Sequence, residues 1–182
     1  MYCSDHPAEY QVLELGSAST HDLRRMEFRA GGGLGAAPRV ELVVTPLGAE
    51  TGWIGEFYGH RDGSDLVAHT PNPESLLVVS GGVAYWVPTS SPEDFKVLGF
   101  QPVRSVHCSA GSDVLVLEGY SRLAAIDSAG NVAWQSTQLV SDEFYEVRLA
   151  ASAVVVRGYS APDDREVEVT LDRSTGSIVS KR

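Results

Sequence analysis

Basic residues are scarce in this chain: 14 lysines and arginines stand against 24 aspartates and glutamates, a formal net charge of −10. The deficit runs through both halves, with 11 acidic and 5 basic residues up to Glu74 and 13 and 9 beyond it. No cluster of Lys or Arg could neutralise a phosphate backbone, so nucleic-acid binding is not expected. Nor is there an apolar run of ~18 residues, the length a membrane-spanning helix needs. The opening MYCSDHPAEYQ is polar and acidic, without the charged-then-apolar pattern of a secretion signal. Cysteine is nearly absent. With no secretion signal, Cys3 and Cys108 are expected as reduced thiols, and the protein as cytoplasmic.

Catalytic signatures are missing as well. Gly119-Tyr-Ser-Arg-Leu and Gly158-Tyr-Ser-Ala-Pro both lack the last glycine of G-x-S-x-G. GGGLGAA, Gly31 to Ala37, lacks the Lys-Ser/Thr of a P-loop and precedes the strand-like RVELVV, so it reads as a connector. His60, Asp62, Asp65 and His69 are the densest set of metal-capable residues, but Asp62-Gly63 signals a turn that breaks any shared strand face. His107 and Cys108 are adjacent and would point to opposite faces of a strand, so they form no Cys–His couple. Cys108 alternates with Val106 into a core, and His107 is read as structural. No catalytic, metal or cofactor set is expected.

What is present is β-structure. With 182 residues, 43% of them apolar and 21% charged, the chain suits one globular domain with a real core. ESLLVVSGGVAYWVP from Glu74, SDVLVLEGYSRLAAIDSAGNVAWQS from Ser112 and ASAVVVRGYSAPDDREVEVTLDRSTGSIVS from Ala151 share one plan. Each starts with an aliphatic run of a strand covered on both faces, turns at a glycine, and continues as an alternating, half-buried strand. In REVEVTLD, Val167, Val169 and Leu171 oppose Glu166, Glu168 and Thr170. In VAYWV, Val83, Tyr85 and Val87 oppose Ala84 and Trp86.

The match is one of register. Gly119-Tyr-Ser and Gly158-Tyr-Ser stand 39 residues apart, and each unit then reaches an aspartate and a tight turn, Asp127-Ser-Ala-Gly-Asn and Asp172-Arg-Ser-Thr-Gly. With PVRSVHCS and EFYEVRLA as leading strands, each unit has four antiparallel strands at a period near ~40, the signature of propeller blades. Ala125, Asp127, Gly130 and Trp134 resemble the outer hairpin of quinoprotein-type (PQQ-like) propeller repeats. That resemblance implies that Trp134 docks one blade on the next; it does not imply a quinone. In the last unit Leu171, Asp172, Thr175 and Gly176 fit, but Ser180 stands near the expected Trp. The two repeat tyrosines are expected to pack between blades.

The fold class expected is all-β, a small propeller-like array of about four antiparallel four-stranded sheets, with an open curved stack or a β-sandwich as the alternative. A single domain, 1–182, would comprise a diverged first unit at about 10–60 and units at about 65–98, 102–136 and 142–180. In the first unit MEFRA, RVELVVTPL and TGWIGEFYGH read as strands, YQVLEL as an extra edge strand that could close a ring, and HDLRRMEF alternatively as a short helix.

Two carboxylate pairs, Asp142-Glu143 and Asp163-Asp164, fall in loops of the last two units. They are the expected binding residues: an acidic rim for a basic protein partner. The function expected is a non-catalytic protein-binding module, similar in class to bacterial immunity proteins that block a cationic toxin. The alternatives are a small hydrolase or lyase with its site in the central channel, or a structural module of a larger assembly.

Overall fold

The computed structural model describes residues 6–14, 22–31, 35–109 and 112–182, with the backbone of Tyr2 and Cys3. The strands are β1 (Tyr2–Cys3), β2 (Tyr10–Glu14), β3 (Arg24–Phe28), β4 (Val40–Pro46), β5 (Trp53–Phe57), β6 (Leu66–His69), β7 (Ser75–Ser80), β8 (Val83–Pro88) and β9 (Lys96–Val97). The second half adds β10 (Ser105–His107), β11 (Val114–Glu118), β12 (Leu123–Asp127), β13 (Val132–Gln135), β14 (Phe144–Leu149), β15 (Ala153–Ser160), β16 (Arg165–Asp172) and β17 (Ile178–Lys181). The one described helix is a 3-10 turn at Pro92–Asp94, far too short to cross a membrane.

These strands form four sheets. Sheet I runs β2-β4-β5-β3, sheet II β1-β6-β7-β8-β9, sheet III β10-β11-β12-β13 and sheet IV β14-β15-β16-β17. Sheets III and IV are antiparallel meanders with a bulge before the outer strand in each. Sheets I and II depart from the simple plan. β3 pairs in parallel with β5, and β1 adds a parallel fifth strand beside β6. HDLRRMEF thus contributes the strand Arg24–Phe28, and YQVLE is the edge strand of sheet I beside β4.

The sheets stand around an axis. β6 and β14 both neighbour β10, and the Tyr10 ring meets His69 edge-on at 5.5 Å, which places β2 beside β6. Three apolar cores fill three successive seams. Leu42, Val44, Phe57 and Phe28 of sheet I meet Leu76, Val78 and Tyr85 of sheet II. Leu77, Val79 and Ala84 on the other face meet Leu115, Leu117 and Ile126 of sheet III. Val116, Leu123 and Ala125 then meet Val154, Val156, Val167 and Val169 of sheet IV. No core among the described residues joins sheet IV back to sheet I.

Sandwiching explains where the strand readings differ from the structure. VAYWV is buried on both faces, because sheet II has a neighbour on each side. β15 alternates buried with half-exposed or exposed residues, because no other described sheet packs on the far face of sheet IV. That face carries a row of opposed charges: Arg157 bridges Glu146 at 3.3 Å and Glu168 at 2.8 Å, and Glu168 also pairs with Arg182. A polar outer face is how a stacked array ends without exposing a core.

Each seam holds one of the chain's three tryptophans. Trp53 of sheet I donates its indole N–H to the Thr89 carbonyl of sheet II at 2.8 Å. Trp86 of sheet II lies under Gly130, whose missing Cβ would come 2.7 Å from the ring. Trp134 of sheet III lies under Gly176 in the same way, at 2.6 Å, and donates to the Arg173 carbonyl at 2.8 Å. The Asp-turn-Gly pattern has a plain cause. The Asp127 carboxylate accepts the Asn131 and Ala129 N–H groups, which hold it below the usual carboxylate range. Asp172 does the same with the Ser174 hydroxyl and the Thr175 N–H. Both turns then need a glycine at positive φ, 74° and 69°, that lies flat on the preceding sheet's indole.

Candidate functional site

The turns on the β15–β16 side of sheets III and IV form one rim, and it gathers all four expected carboxylates. Ser141 is the link. Its N–H donates to the Tyr159 carbonyl at 2.8 Å, and its hydroxyl accepts the Ala161 N–H at 2.6 Å. The Asp142-Glu143 loop is thereby fastened to the hairpin that carries Asp163 and Asp164. All four are exposed.

They are not a bare acidic patch. Glu143 pairs with Arg104, which reaches across from the segment before β10. The Ser160 hydroxyl donates to Asp163 at 2.6 Å and Lys181 lies 3.2 Å away, and together they hold that carboxyl below its usual range. Asp164, at φ 48°, accepts the Tyr159 hydroxyl, and this bond raises the Tyr159 phenol. Asp142 makes no ion pair among the described residues, so it is the carboxylate open to solvent.

Aromatics complete the rim. Tyr120 is 53% exposed and Tyr145, the bulge residue of β14, is 60% exposed. The Arg104 guanidinium sits 4.7 Å from the Tyr120 ring centroid, a cation–π contact. Tyr120 also borders a pocket of about 190 Å³ lined by Phe100, Pro102, Gly119 and Arg122. Its backbone is anchored, since its carbonyl accepts the Phe144 N–H at 3.2 Å. The Gly-Tyr-Ser tyrosines therefore do not pack between blades. The glycine does the packing, as Gly119 and Gly158 lie against Phe100 and Val140, and the tyrosine turns outward. Repetition of the tripeptide was a signal of position, and Tyr145 and Arg104 had no sequence signal at all.

The other expected sites resolve as structure. Arg39 holds Asp65 through two bonds, 3.1 and 2.7 Å, while Asp65 accepts the Gly81 N–H at 2.7 Å. Burial alone would raise Asp65, but Arg39 and the Gly81 N–H outweigh it and lower the carboxyl. This clamp fixes the β5–β6 connection on the β7–β8 turn. Among the described residues no three His, Cys, Asp or Glu side chains are placed to hold a metal. His107 Nε2 lies 2.6 Å from Glu118 Oε2, with both side chains mostly covered. Cys108 packs beside the second core as expected, but it is disulfide-bonded and not a free thiol. Of GGGLGAA, only Gly31 and residues 35–37 lie within the described residues.

Sheets fanned about an axis, with inner strands side by side and a docking tryptophan at each seam, define a β-propeller fold. The chain is similar to several solved structures. AztD from Citrobacter koseri superposes with a TM-score of 0.52 at 13% identity, over 87% of this chain and 47% of that one. BamB from Moraxella catarrhalis matches at 0.47 and 15% identity, over 94% and 50%. The β-propeller domain of Cps50 (Swd1) from Myceliophteria thermophila matches at 0.46 and 14%, over 87% and 57%. The chain thus spans about half the length of these structures. No family model matches it, and no curated protein matches it by sequence.

Proposed function

We propose that this chain is a protein-binding module that engages a basic protein partner through the rim of sheets III and IV. One observation carries the reading: two exposed tyrosines, Tyr120 held by its carbonyl's bond to the Phe144 N–H and Tyr145 at the β14 bulge, stand among Arg104, Asp142, Glu143, Asp163 and Asp164. Tyrosine and arginine on a rigid support are the residues that most often dominate a protein interface, because they bury much area at little conformational cost. The net charge of −10 favours a cationic partner by long-range steering. Inhibition of a basic toxin, as immunity proteins perform it, is one form this activity takes. The Ala125, Asp127, Gly130 and Trp134 pattern supports quinoprotein-type repeats that serve as scaffold, with no quinone required.

The test is capture from the organism that carries the gene, using wild-type protein and a Tyr120→Ala/Tyr145→Ala variant. A basic protein retained by the wild type and lost by the variant, with unchanged melting, supports the rim. Equal capture by both overturns it.

A disulfide persists where thiols are not held reduced. The bonded Cys108 therefore favours an oxidising compartment over the cytoplasm, which alkylation and mass measurement of the native protein would decide. A second reading, general-base chemistry in the channel, rests on the His107–Glu118 pair. It requires hydrolytic turnover that His107→Ala abolishes.

A further inference from the structure

The two Gly-Tyr-Ser tripeptides stand at equivalent hairpins, yet the hairpins are finished differently. In sheet IV the turn closes on itself. The Tyr159 hydroxyl goes to Asp164, the Ser160 hydroxyl to Asp163 at 2.6 Å, and the Ala161 N–H to Ser141 at 2.6 Å. Sheet III has Arg122 where sheet IV has Ala161, and its turn, Gly119 to Arg122, contains no carboxylate. Arg122 is exposed, and among the described residues its guanidinium makes no ion pair.

The pocket of about 190 Å³ beside Tyr120 lies at this turn. Phe100, 2% exposed, is its inner wall, and Pro102, Tyr120 and Arg122 line it further out. Alternation along the chain puts Arg122 on the same side of sheet III as Ala124, which shares a core with Phe100. Gly119 keeps the space open: a Cβ there would come 3.1 Å from the Phe100 ring and 3.3 Å from the Pro102 carbonyl oxygen. Small-molecule sites run to about 300–1,000 Å³, so this pocket admits one residue and not a cofactor-sized ligand. Its lining is apolar and aromatic with one uncommitted cation. Arg104, by contrast, is held by Glu143 and lies over the Tyr120 ring.

We infer that this pocket receives the C-terminal residue of the protein partner, an apolar residue whose α-carboxylate pairs with Arg122, an assignment that rests on the rim being the partner's surface. Size and charge select the occupant. The pocket holds one residue, so the apolar body and the carboxylate belong to the same one. Among internal residues only aspartate and glutamate carry a carboxylate, and their short stems leave the aromatic walls uncovered. A chain's last residue joins a carboxylate to any side chain, and a planar guanidinium takes both oxygens at once. The same choice reconciles an anion site with a basic partner. Asp142, Asp163 and Asp164 meet the partner's cations, and even a basic protein ends in a carboxylate.

The test titrates the isotope-labelled full chain with three probes: N-acetyl-leucine, its carboxamide, and the α-amide of N-acetyl-glutamic acid. Backbone amide shifts of Gly119 to Leu123 are the readout. The expected result is saturable shifts there with N-acetyl-leucine, binding about tenfold tighter than the carboxamide, the low end for a bond to a charged group. Arg122→Gln, with unchanged melting, should make acid and carboxamide equal and should reduce capture of the partner. No saturable shift, equal binding of acid and carboxamide by the wild type, or tighter binding of the glutamate probe overturns the inference. So does capture that Arg122→Gln leaves unchanged, which would make the pocket an anion site the partner does not use. Capture lost in Tyr120→Ala/Tyr145→Ala without any binding of N-acetyl-leucine leaves the rim standing and removes this pocket.

Discussion

Gly130, Gly176 and Gly48 have almost the same positive φ, yet they should not respond alike to substitution. Alanine at any of them incurs the left-handed penalty of roughly 1–2 kcal/mol. At Gly130 the new methyl also collides with the Trp86 ring, whereas at Gly48 it meets open space. Gly130→Ala should therefore lower the melting temperature clearly more than Gly48→Ala, as thermal unfolding of the two variants will show. Equal losses would mean that the turn does not bear on the indole. Trp134→Ala is the complementary test. The residue is 7% exposed, and its removal should cost about 3–5 kcal/mol in denaturant titration. Trp134→Phe keeps much of the packing but leaves the Arg173 carbonyl unpaired, so it should fall between the alanine variant and wild type.

At the scale of elements, the seam between sheets I and II has a phenol at its centre. Tyr85 is fully buried, and its hydroxyl donates to the Tyr58 carbonyl at 2.5 Å. Burial disfavours the phenolate and pushes Tyr85 up to about 12 from a usual 10. A raised folded value contributes stability that is fully present below about pH 10 and lost as pH rises toward 12. Unfolding free energy should thus fall across that window, and Tyr85→Phe should flatten the fall. A variant with an unchanged alkaline slope would place the titrating group elsewhere. VAYWV shows what the sequence could say here and what it could not. Its alternation marked a strand, but alternation cannot tell which second face acquires a neighbour. Burial of both faces comes from the flanking sheets, which are remote in sequence. For the same reason the four rim carboxylates were legible as loop residues, while their shared location depends on Ser141 reaching Tyr159 and Ala161. Arg104 was invisible as their partner, being 39 residues from Glu143.

Among the described residues the four sheets share three apolar seams, so sheets I and IV each have one neighbouring core. A stacked array of this kind opens from its ends, because each end sheet has only one such core. A covalent tie near the axis offsets part of that weakness. Cys108, just past β10, is disulfide-bonded. A disulfide stabilises typically by roughly 2–4 kcal/mol, in the chain-entropy description chiefly by restricting the unfolded chain. Denaturant unfolding with and without a dithiol reductant should therefore differ by several kcal/mol, with the reduced protein weaker. Cys108→Ser should reproduce the reduced midpoint and be indifferent to reductant. If the midpoint is the same in both conditions, the tie contributes nothing and the three seams alone hold the four sheets together. If the reduced protein unfolds in two steps, the bond is the element that makes the four sheets one cooperative unit.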